Sequence, residues 1–153
     1  MRPADFIAML ADPAQTCAQR SSVPASFTVA QAALESGWGQ SRLAQEGKNL
    51  FGVKADPAWS GEVLTLNTRE YLQKRWVTVP ARWRQYADWQ ACLDDHAAFL
   101  HNNRRYRACF ECSAGPAFAR AVALAGYATD PDYATKLVTL IDKYQLTRLD
   151  GVV

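Results

Sequence analysis

Residues 27–39 read Phe-Thr-Val-Ala-Gln-Ala-Ala-Leu-Glu-Ser-Gly-Trp-Gly, and the rest of the chain is organised around them. The first part predicts a helix, because it contains strong helix formers and its apolar side chains recur at helical spacing. Gly37 and Gly39 then act as stop signals. The stretch therefore places Glu35 in the last turn of a helix that reads as buried.

Two features of the predicted position of Glu35 favour the protonated form of its carboxyl group. The negative end of the helix dipole and apolar surroundings both disfavour the charged form, and Trp38 would add an aromatic wall. A carboxylic acid that stays protonated near neutral pH is what protonation of a leaving-group oxygen requires. The alternative is an ordinary glutamate that points into solvent from a helix end, since carboxylates are rarely buried unless paired.

Length and composition indicate one globular domain over residues 1–153. The hydrophobic fraction is 49% and the charged fraction 21%, which excludes a disordered chain. A net charge of +2 is too small for the electrostatic footprint of a nucleic-acid-binding protein, so we expect no nucleic-acid partner. Five Trp, six Tyr and six Phe are compatible with a carbohydrate cleft, where rings stack on sugars.

The sequence contains no run of about 20 apolar residues that would span a membrane, and residues 1–6 do not resemble a signal peptide. We therefore expect a protein made in the cytoplasm, without membrane insertion, that acts elsewhere only after release. We also expect a monomer. The four cysteines are expected to be free thiols packed as small hydrophobes, with no metal bound. A disulfide that involves one of the CxxC pair is the alternative in an oxidising compartment. The cysteines are Cys17, Cys92, Cys109 and Cys112.

The periodicity predicts helices at both ends of the chain and strands between them. Residues 3–20 read as a helical segment that Asp12-Pro13 interrupts. Residues 41–48 read as irregular, and residues 55–61 as a loop. Between about 60 and 86, β-branched and aromatic residues predict a small antiparallel sheet, with Pro80 near a turn or strand end.

Helical signals return after the predicted sheet. Asp88 is the expected cap of a helix in which His96 is a packed, hydrogen-bonded histidine. Pro116 suits the first turn of a second helix that closes at Gly126, and Asp130 is the expected cap of a last helix that begins at Pro131. The fold class is therefore α+β, with a helical lobe over about 1–54 and 87–150 and a β lobe over about 55–86.

Two more features carry chemistry. Glu70 lies at a predicted loop–strand boundary of the β lobe, so it and Glu35 come from different lobes, with a natural cleft between them. Paired carboxylates across a cleft are typical of glycosidic bond cleavage. The alternative is a solvated Glu70 paired with Arg69 or Lys74. Tyr127 lies on a turn, Gly126 to Tyr133, from which its hydroxyl could reach a substrate amide or a water.

Four motifs occur in order: Ala30 to Gly39, Asn49 to Lys54, Thr68 to Tyr71, and Gly126 to Pro131. Together they resemble the glycoside hydrolase family 73 β-N-acetylglucosaminidases, over almost the whole chain. The resemblance implies a lysozyme-like fold and endo-hydrolysis of the N-acetylglucosaminyl-β-1,4-N-acetylmuramyl bond of peptidoglycan. The implied partner is a peptidoglycan glycan strand, and no cofactor is implied.

The resemblance also implies roles for single residues. Glu35 matches the general acid, Glu70 the second carboxylate, and Tyr127 the tyrosine that positions the acetamido group or the attacking water. Four aromatic residues are expected to stack on sugar or to form the cleft wall: Trp38, Phe51, Trp59 and Tyr133. Each of them could instead belong to the core.

Three alternatives remain open from the sequence. A chain of this size resembles a phage or prophage endolysin, which is the expected setting, and a secreted effector or a fragment of a longer protein is the next possibility. The chemistry could be that of a lytic transglycosylase of the same superfamily. A module that binds glycan without cutting it is the third reading.

Overall fold

The computed structural model describes residues 1–151, and in this range the chain forms six α-helices, two 3-10 helices and one hairpin of two strands. The 3-10 helices are Arg104–Glu111 and Leu146–Asp150. The other elements, in chain order, are α1 Pro3–Ser21, α2 Ala25–Ser36, α3 Arg42–Gly47, β1 Val63–Leu72, β2 Arg75–Arg84, α4 Trp89–Asn102, α5 Gly115–Leu124 and α6 Tyr133–Lys143. The expected α+β class is confirmed.

Helix α2 is the central element of the helical body. Every residue from Ala25 to Ala33 is buried, and the helix packs against α1, α5, α6 and the last 3-10 helix. The ring of Phe27 meets that of Phe118 on α5 at 4.9 Å. The helix ends where expected, at Gly37, whose φ of 59° costs a glycine little because it has no Cβ.

The two strands form one antiparallel hairpin in which Val63 pairs with Arg84 and Leu72 with Arg75. The turn residues Gln73 and Lys74 both have positive φ, as in the hairpin turns that match the strand twist. The expected position of Pro80 near a strand end is wrong: it lies within β2, opposite Asn67. A two-stranded ribbon has only edge strands, so a residue without an N–H is tolerated there.

Three helical boundaries also differ from the sequence-based expectation. Helix α1 continues through Pro13, because buried side chains on both sides of it outweigh a cost of about 3 kcal/mol. Residues 41–48 are not irregular, since Ser41 caps α3 by accepting a hydrogen bond from the Ala44 N–H at 3.1 Å. Helix α6 begins at Tyr133 instead of Pro131, because Asp130 accepts from the Asp132 N–H in a preceding turn.

Asn49 joins the hairpin to the helical body. Its buried side-chain amide donates to the carbonyls of Val53 and Arg84, at 2.9 and 2.8 Å, and its oxygen accepts from the Val53 N–H at 3.0 Å. At the same junction Arg84 bridges Asp95 on α4 and Asp56 in the loop. The base of the hairpin is therefore fixed to α3 and α4.

Cys17, Cys92, Cys109 and Cys112 are all free thiols, and the first three are buried. Burial raises the pKa of the Cys17 thiol to about 11 and that of Cys92 to about 12, so both are poor nucleophiles at neutral pH. Among residues 1–151, no helix combines the length and the apolar character that crossing a bilayer demands.

Candidate active site

Glu35 lies in the last turn of α2, at the end of the buried helix, and its side chain is exposed. The side chain is not free, because its Oε1 accepts a hydrogen bond of 2.8 Å from the hydroxyl of Tyr133 on α6. This bond orients the carboxyl group, and the hydrogen bond from Tyr133 uses only Oε1. The structure thus presents a held and accessible carboxyl group rather than a buried one.

Trp38, three residues after Glu35, packs against two aromatic side chains of the helical body. Its ring meets Phe6 at 5.6 Å and Tyr144 at 5.1 Å, both edge-on, in the partly buried layer between α1 and the end of α6. Gly37, Trp38 and Gly39 all have positive φ, and this tight turn directs the indole toward the core. The ring contacts of Trp38 are thus with aromatic side chains of the helical body, and its place in an aromatic wall beside Glu35 stays a prediction.

A chain of hydrogen bonds runs from the core to Glu35. His96 Nε2 lies 2.7 Å from Gln31 Oε1, Gln31 Nε2 donates to the Tyr133 hydroxyl at 3.0 Å, and that hydroxyl donates to Glu35. The sequence predicts that Tyr133 contacts sugar, but the residue is only 5% exposed and its hydroxyl donates a hydrogen bond to Glu35. We call His96, Gln31 and Tyr133 the buried polar chain.

Sequence reasoning missed the role of Gln31. The available signal was a polar side chain within an apolar helical face, four residues and so one turn before Glu35. The expectation for His96 as a packed, hydrogen-bonded histidine is confirmed. Burial lowers the pKa of His96 to about 3, so its imidazole is neutral at physiological pH.

Aromatic rings pack around His96, the histidine of the buried polar chain. Phe51 stacks on His96 with centroids 3.8 Å apart and planes 10° from parallel, and its own side chain is 8% exposed. The placement of Phe51 favours the core alternative over sugar stacking. Tyr127 meets His96 edge-on at 5.9 Å and lies nearly parallel to Tyr133 at 5.8 Å.

Tyr127 is half-buried beside the carboxyl group of Glu35. Burial is the main cause of the raised pKa of Tyr127, and the negative charge of Glu35 adds to it. Its hydroxyl therefore stays protonated and able to donate. Glu35, Tyr127 and Tyr133 thus form one cluster. The spacing of these residues in the sequence could not show that they meet.

Glu70 belongs to the hairpin and lies within β1, two residues from its end, so the expected loop–strand boundary is wrong. Its Oε1 is 3.4 Å from Nζ of Lys54, and the two side chains are 36% and 58% exposed. Such an exposed pair contributes at most about 1 kcal/mol to stability. The alternative partner Arg69 instead lies over the ring of Trp76, at 5.1 Å.

Trp59 is held at the base of the hairpin. Its indole N–H donates to the carbonyl of Glu62 at 2.8 Å, and its ring lies under the guanidinium of Arg84 at 4.6 Å. The ring also meets Tyr86 edge-on at 5.7 Å. These contacts hold Trp59 against the base of the hairpin, and its contact with sugar stays a prediction.

No group of three or more His, Cys, Asp or Glu side chains within residues 1–151 is arranged to hold a metal ion. The groups around Glu35 are carboxyl and phenol groups: Glu35 can exchange a proton, and Tyr127 and Tyr133 can donate hydrogen bonds. Among residues 1–151, the hydrogen bond and ion pair of the Glu70 side chain are to Lys54 and not to this cluster.

Residues 11–146 match the family model of the glucosaminidases, described as mannosyl-glycoprotein endo-β-N-acetylglucosaminidase. The chain is 41% identical over 143 residues to the peptidoglycan hydrolase FlgJ of Salmonella typhimurium, covering 91% of this chain and 45% of FlgJ. It is 38% identical to the exo-glucosaminidase LytG of Bacillus subtilis, covering 96% of this chain and 53% of LytG. The chain thus spans about half the length of these curated relatives.

Solved structures resemble the fold closely. The glycoside hydrolase domain of Salmonella typhimurium FlgJ superimposes with a TM-score of 0.84 at 39% identity, covering 97% of this chain and 91% of that domain. The catalytic domain of the autolysin Auto from Listeria monocytogenes gives a TM-score of 0.86 at 31% identity, covering 96% and 86%.

Proposed function

The chain belongs to glycoside hydrolase family 73, the glucosaminidases, and from this membership we propose that it hydrolyses peptidoglycan at the N-acetylglucosaminyl-β-1,4-N-acetylmuramyl bond. The observation that carries the proposal is the exposed carboxyl group of Glu35, oriented by the hydroxyl of Tyr133 at 2.8 Å. A fixed carboxyl group that solvent can reach is suited to meet the bridging oxygen of a polymer.

In the proposed reaction Glu35 donates its proton to the bridging oxygen as the bond from this oxygen to the anomeric carbon breaks. The leaving sugar takes the bonding electron pair and the proton, and positive charge develops on the sugar that remains. Water then adds to the anomeric carbon and loses a proton, which restores the acid. The product is a strand with a reducing N-acetylglucosamine end.

Two routes share this first proton transfer. In one, Glu70 activates the water that attacks from the opposite face; in the other, the 2-acetamido group of the substrate attacks first and Glu70 only assists. Tyr127 supports both routes, because its protonated hydroxyl beside Glu35 can donate to the acetamido oxygen or orient the water. The glycan would bind between the helical lobe that carries Glu35 and the β lobe that carries Glu70.

Digestion of purified sacculi with identification of the product ends tests the proposal. Loss of turbidity with reducing N-acetylglucosamine ends is expected. Anhydro-muramyl ends would instead identify a lytic transglycosylase, and binding to sacculi without any new ends would identify a glycan-binding module. Glu35→Gln protein serves as the negative control in the same assay.

We further propose that the chain works as an endolysin, which reaches the wall when the inner membrane is permeabilised. Production of the chain inside bacteria should leave the culture intact until a permeabilising agent is added. Lysis without such an agent, or no lysis after its addition, contradicts the proposal of an endolysin. Neither result contradicts the hydrolase activity, which the digestion of sacculi tests separately.

A further inference from the structure

The buried polar chain offers an inference about how the acid is held. Gln31 is fully buried and His96 is 3% exposed, in a core otherwise built mainly of apolar side chains. Burial of unpaired polar groups is costly, and among residues 1–151 the side-chain hydrogen bonds of Gln31 and His96 belong to the series that leads to Glu35.

The direction of each hydrogen bond follows from chemistry. Gln31 Oε1 can only accept, so the neutral His96 carries its hydrogen on Nε2 and donates it. The amide nitrogen of Gln31 can only donate, so the Tyr133 oxygen accepts from it. The single hydroxyl hydrogen of Tyr133 is then free for one acceptor, Oε1 of Glu35.

The opposite orientation of the amide would reverse this arrangement. If the oxygen of Gln31 faced Tyr133, it would accept the hydroxyl hydrogen and leave Glu35 without its donor. That orientation would require the other tautomer of His96, with Nε2 accepting from the amide, so the amide orientation found goes together with a hydrogen on Nε2. The protonated nitrogen of His96 is therefore coupled, through the amide of Gln31, to the direction of the bond between Tyr133 and Glu35.

Resting on the proposed role of Glu35 as the acid, we propose that Gln31 and His96 are positioning residues that act through the Tyr133 hydroxyl to hold the Glu35 carboxyl group in its productive orientation. Neither touches the substrate. Their contribution is to keep one carboxyl oxygen occupied by a directed hydrogen bond, so that the other oxygen faces the sugar.

The test is a double-mutant cycle on soluble, uncrosslinked glycan strands. Gln31→Met keeps the length of the side chain but removes both hydrogen-bonding groups. It should lower kcat about tenfold through misorientation of the acid, with KM within about twofold of the wild type. In a Tyr133→Phe background the same change should lower kcat no further, because the hydroxyl through which it acts is gone.

A second pair of variants separates positioning from packing. His96→Phe keeps a ring on Phe51 but donates nothing, and should lower kcat like Gln31→Met. His96→Gln restores a donor near the position of Nε2 and should retain kcat within about twofold. Melting curves verify that each variant is folded. If Gln31→Met does not fold, the comparison of His96→Phe with His96→Gln tests the positioning role instead.

The proposal is overturned if Gln31→Met lowers kcat equally with and without the Tyr133 hydroxyl, or if His96→Phe and His96→Gln behave alike. A readout free of turnover is the hydroxyl proton of Tyr133, which its burial should make visible by NMR in the wild type. It should exchange fast in Gln31→Met and slowly in His96→Gln. A wild type with this protected proton but no activity on sacculi refutes the proposed function and not the positioning.

Discussion

The hydroxyl of Tyr133 on α6 donates a 2.8 Å hydrogen bond to Oε1 of Glu35 on α2, although 98 residues separate the two in the chain. The contact joins the start of one helix to the end of another. It places a phenol, buried with its pKa raised, against the carboxyl group proposed to be the acid.

Replacement of Glu35 by Gln should abolish nearly all hydrolysis, with a loss of about 100-fold or more, because an amide cannot donate the proton. The fold should be intact, since the side chain is exposed. Release of reducing ends from sacculi measures the effect. Glu46→Gln, which alters an exposed glutamate on α3, is the matched control, and comparable loss in both variants would refute the assignment.

Tyr127→Phe and Tyr133→Phe should both reduce turnover, by less than Glu35→Gln does. The first removes a hydroxyl that can donate to the substrate or a water, and the second removes the bond that orients Glu35. We expect kcat to fall about tenfold in each, as for a lost positioning contact. Tyr144→Phe, in the half-buried layer against Trp38, should keep wild-type kinetics. Full activity of Tyr133→Phe would show that the orienting bond is dispensable.

Glu70→Gln distinguishes the two routes. If Glu70 activates the water, kcat should fall about 100-fold; if the acetamido group attacks, a smaller but clear loss remains. A thiazoline analogue of the acetamido intermediate should inhibit only in the second case. Glu62→Gln, at an exposed site before β1, is the control, and an unchanged rate in Glu70→Gln would remove Glu70 from the mechanism.

Stability should fall in mildly acidic solution because of His96. The unfolded histidine titrates near 6.5, whereas burial lowers the pKa of His96 to about 3 in the folded protein. Between these values only the unfolded chain binds the proton, so the free energy of unfolding decreases as the pH falls through 6.5. The loss from pH 7 to 5 should be about 2 kcal/mol.

Urea unfolding at both pH values measures this effect, with His96→Gln as the reference. The variant retains the other titrating groups, so its decrease between pH 7 and 5 should be smaller than that of the wild type by about 2 kcal/mol. Parallel decreases in the two proteins would show that His96 does not control the acid sensitivity.

Asn49→Ala should loosen the hairpin from the helical body. The substitution removes three hydrogen bonds at a buried site and should lower the free energy of unfolding by about 2 kcal/mol. Asn67→Ala, at an exposed position of β1, should change it by less than about 0.5 kcal/mol. Equal effects of the two substitutions in urea titrations would contradict the role of Asn49.

Local patterns in the sequence determined several features correctly. The helical spacing and the two glycines located the end of α2 and with it Glu35, and Asp88 was recognised as a cap, since it accepts from the Ala91 N–H at 2.8 Å. These features depend on neighbours within one turn, and a sequence records such neighbours directly. The two prolines gave wrong predictions: the packing of α1 outweighs the local preference of Pro13, and Pro80 is tolerated because both strands of a two-stranded ribbon are edge strands.

Only the tertiary structure decided which distant side chains meet. Gln31, Glu35, His96 and Tyr133 lie on three helices, and their hydrogen bonds exist because α2, α4 and α6 pack around one core. Helical periodicity gives the face of each residue but not the rotation and depth at which another helix arrives. The sequence alone thus located the carboxyl group, whereas the packing of helices determined which groups hold it.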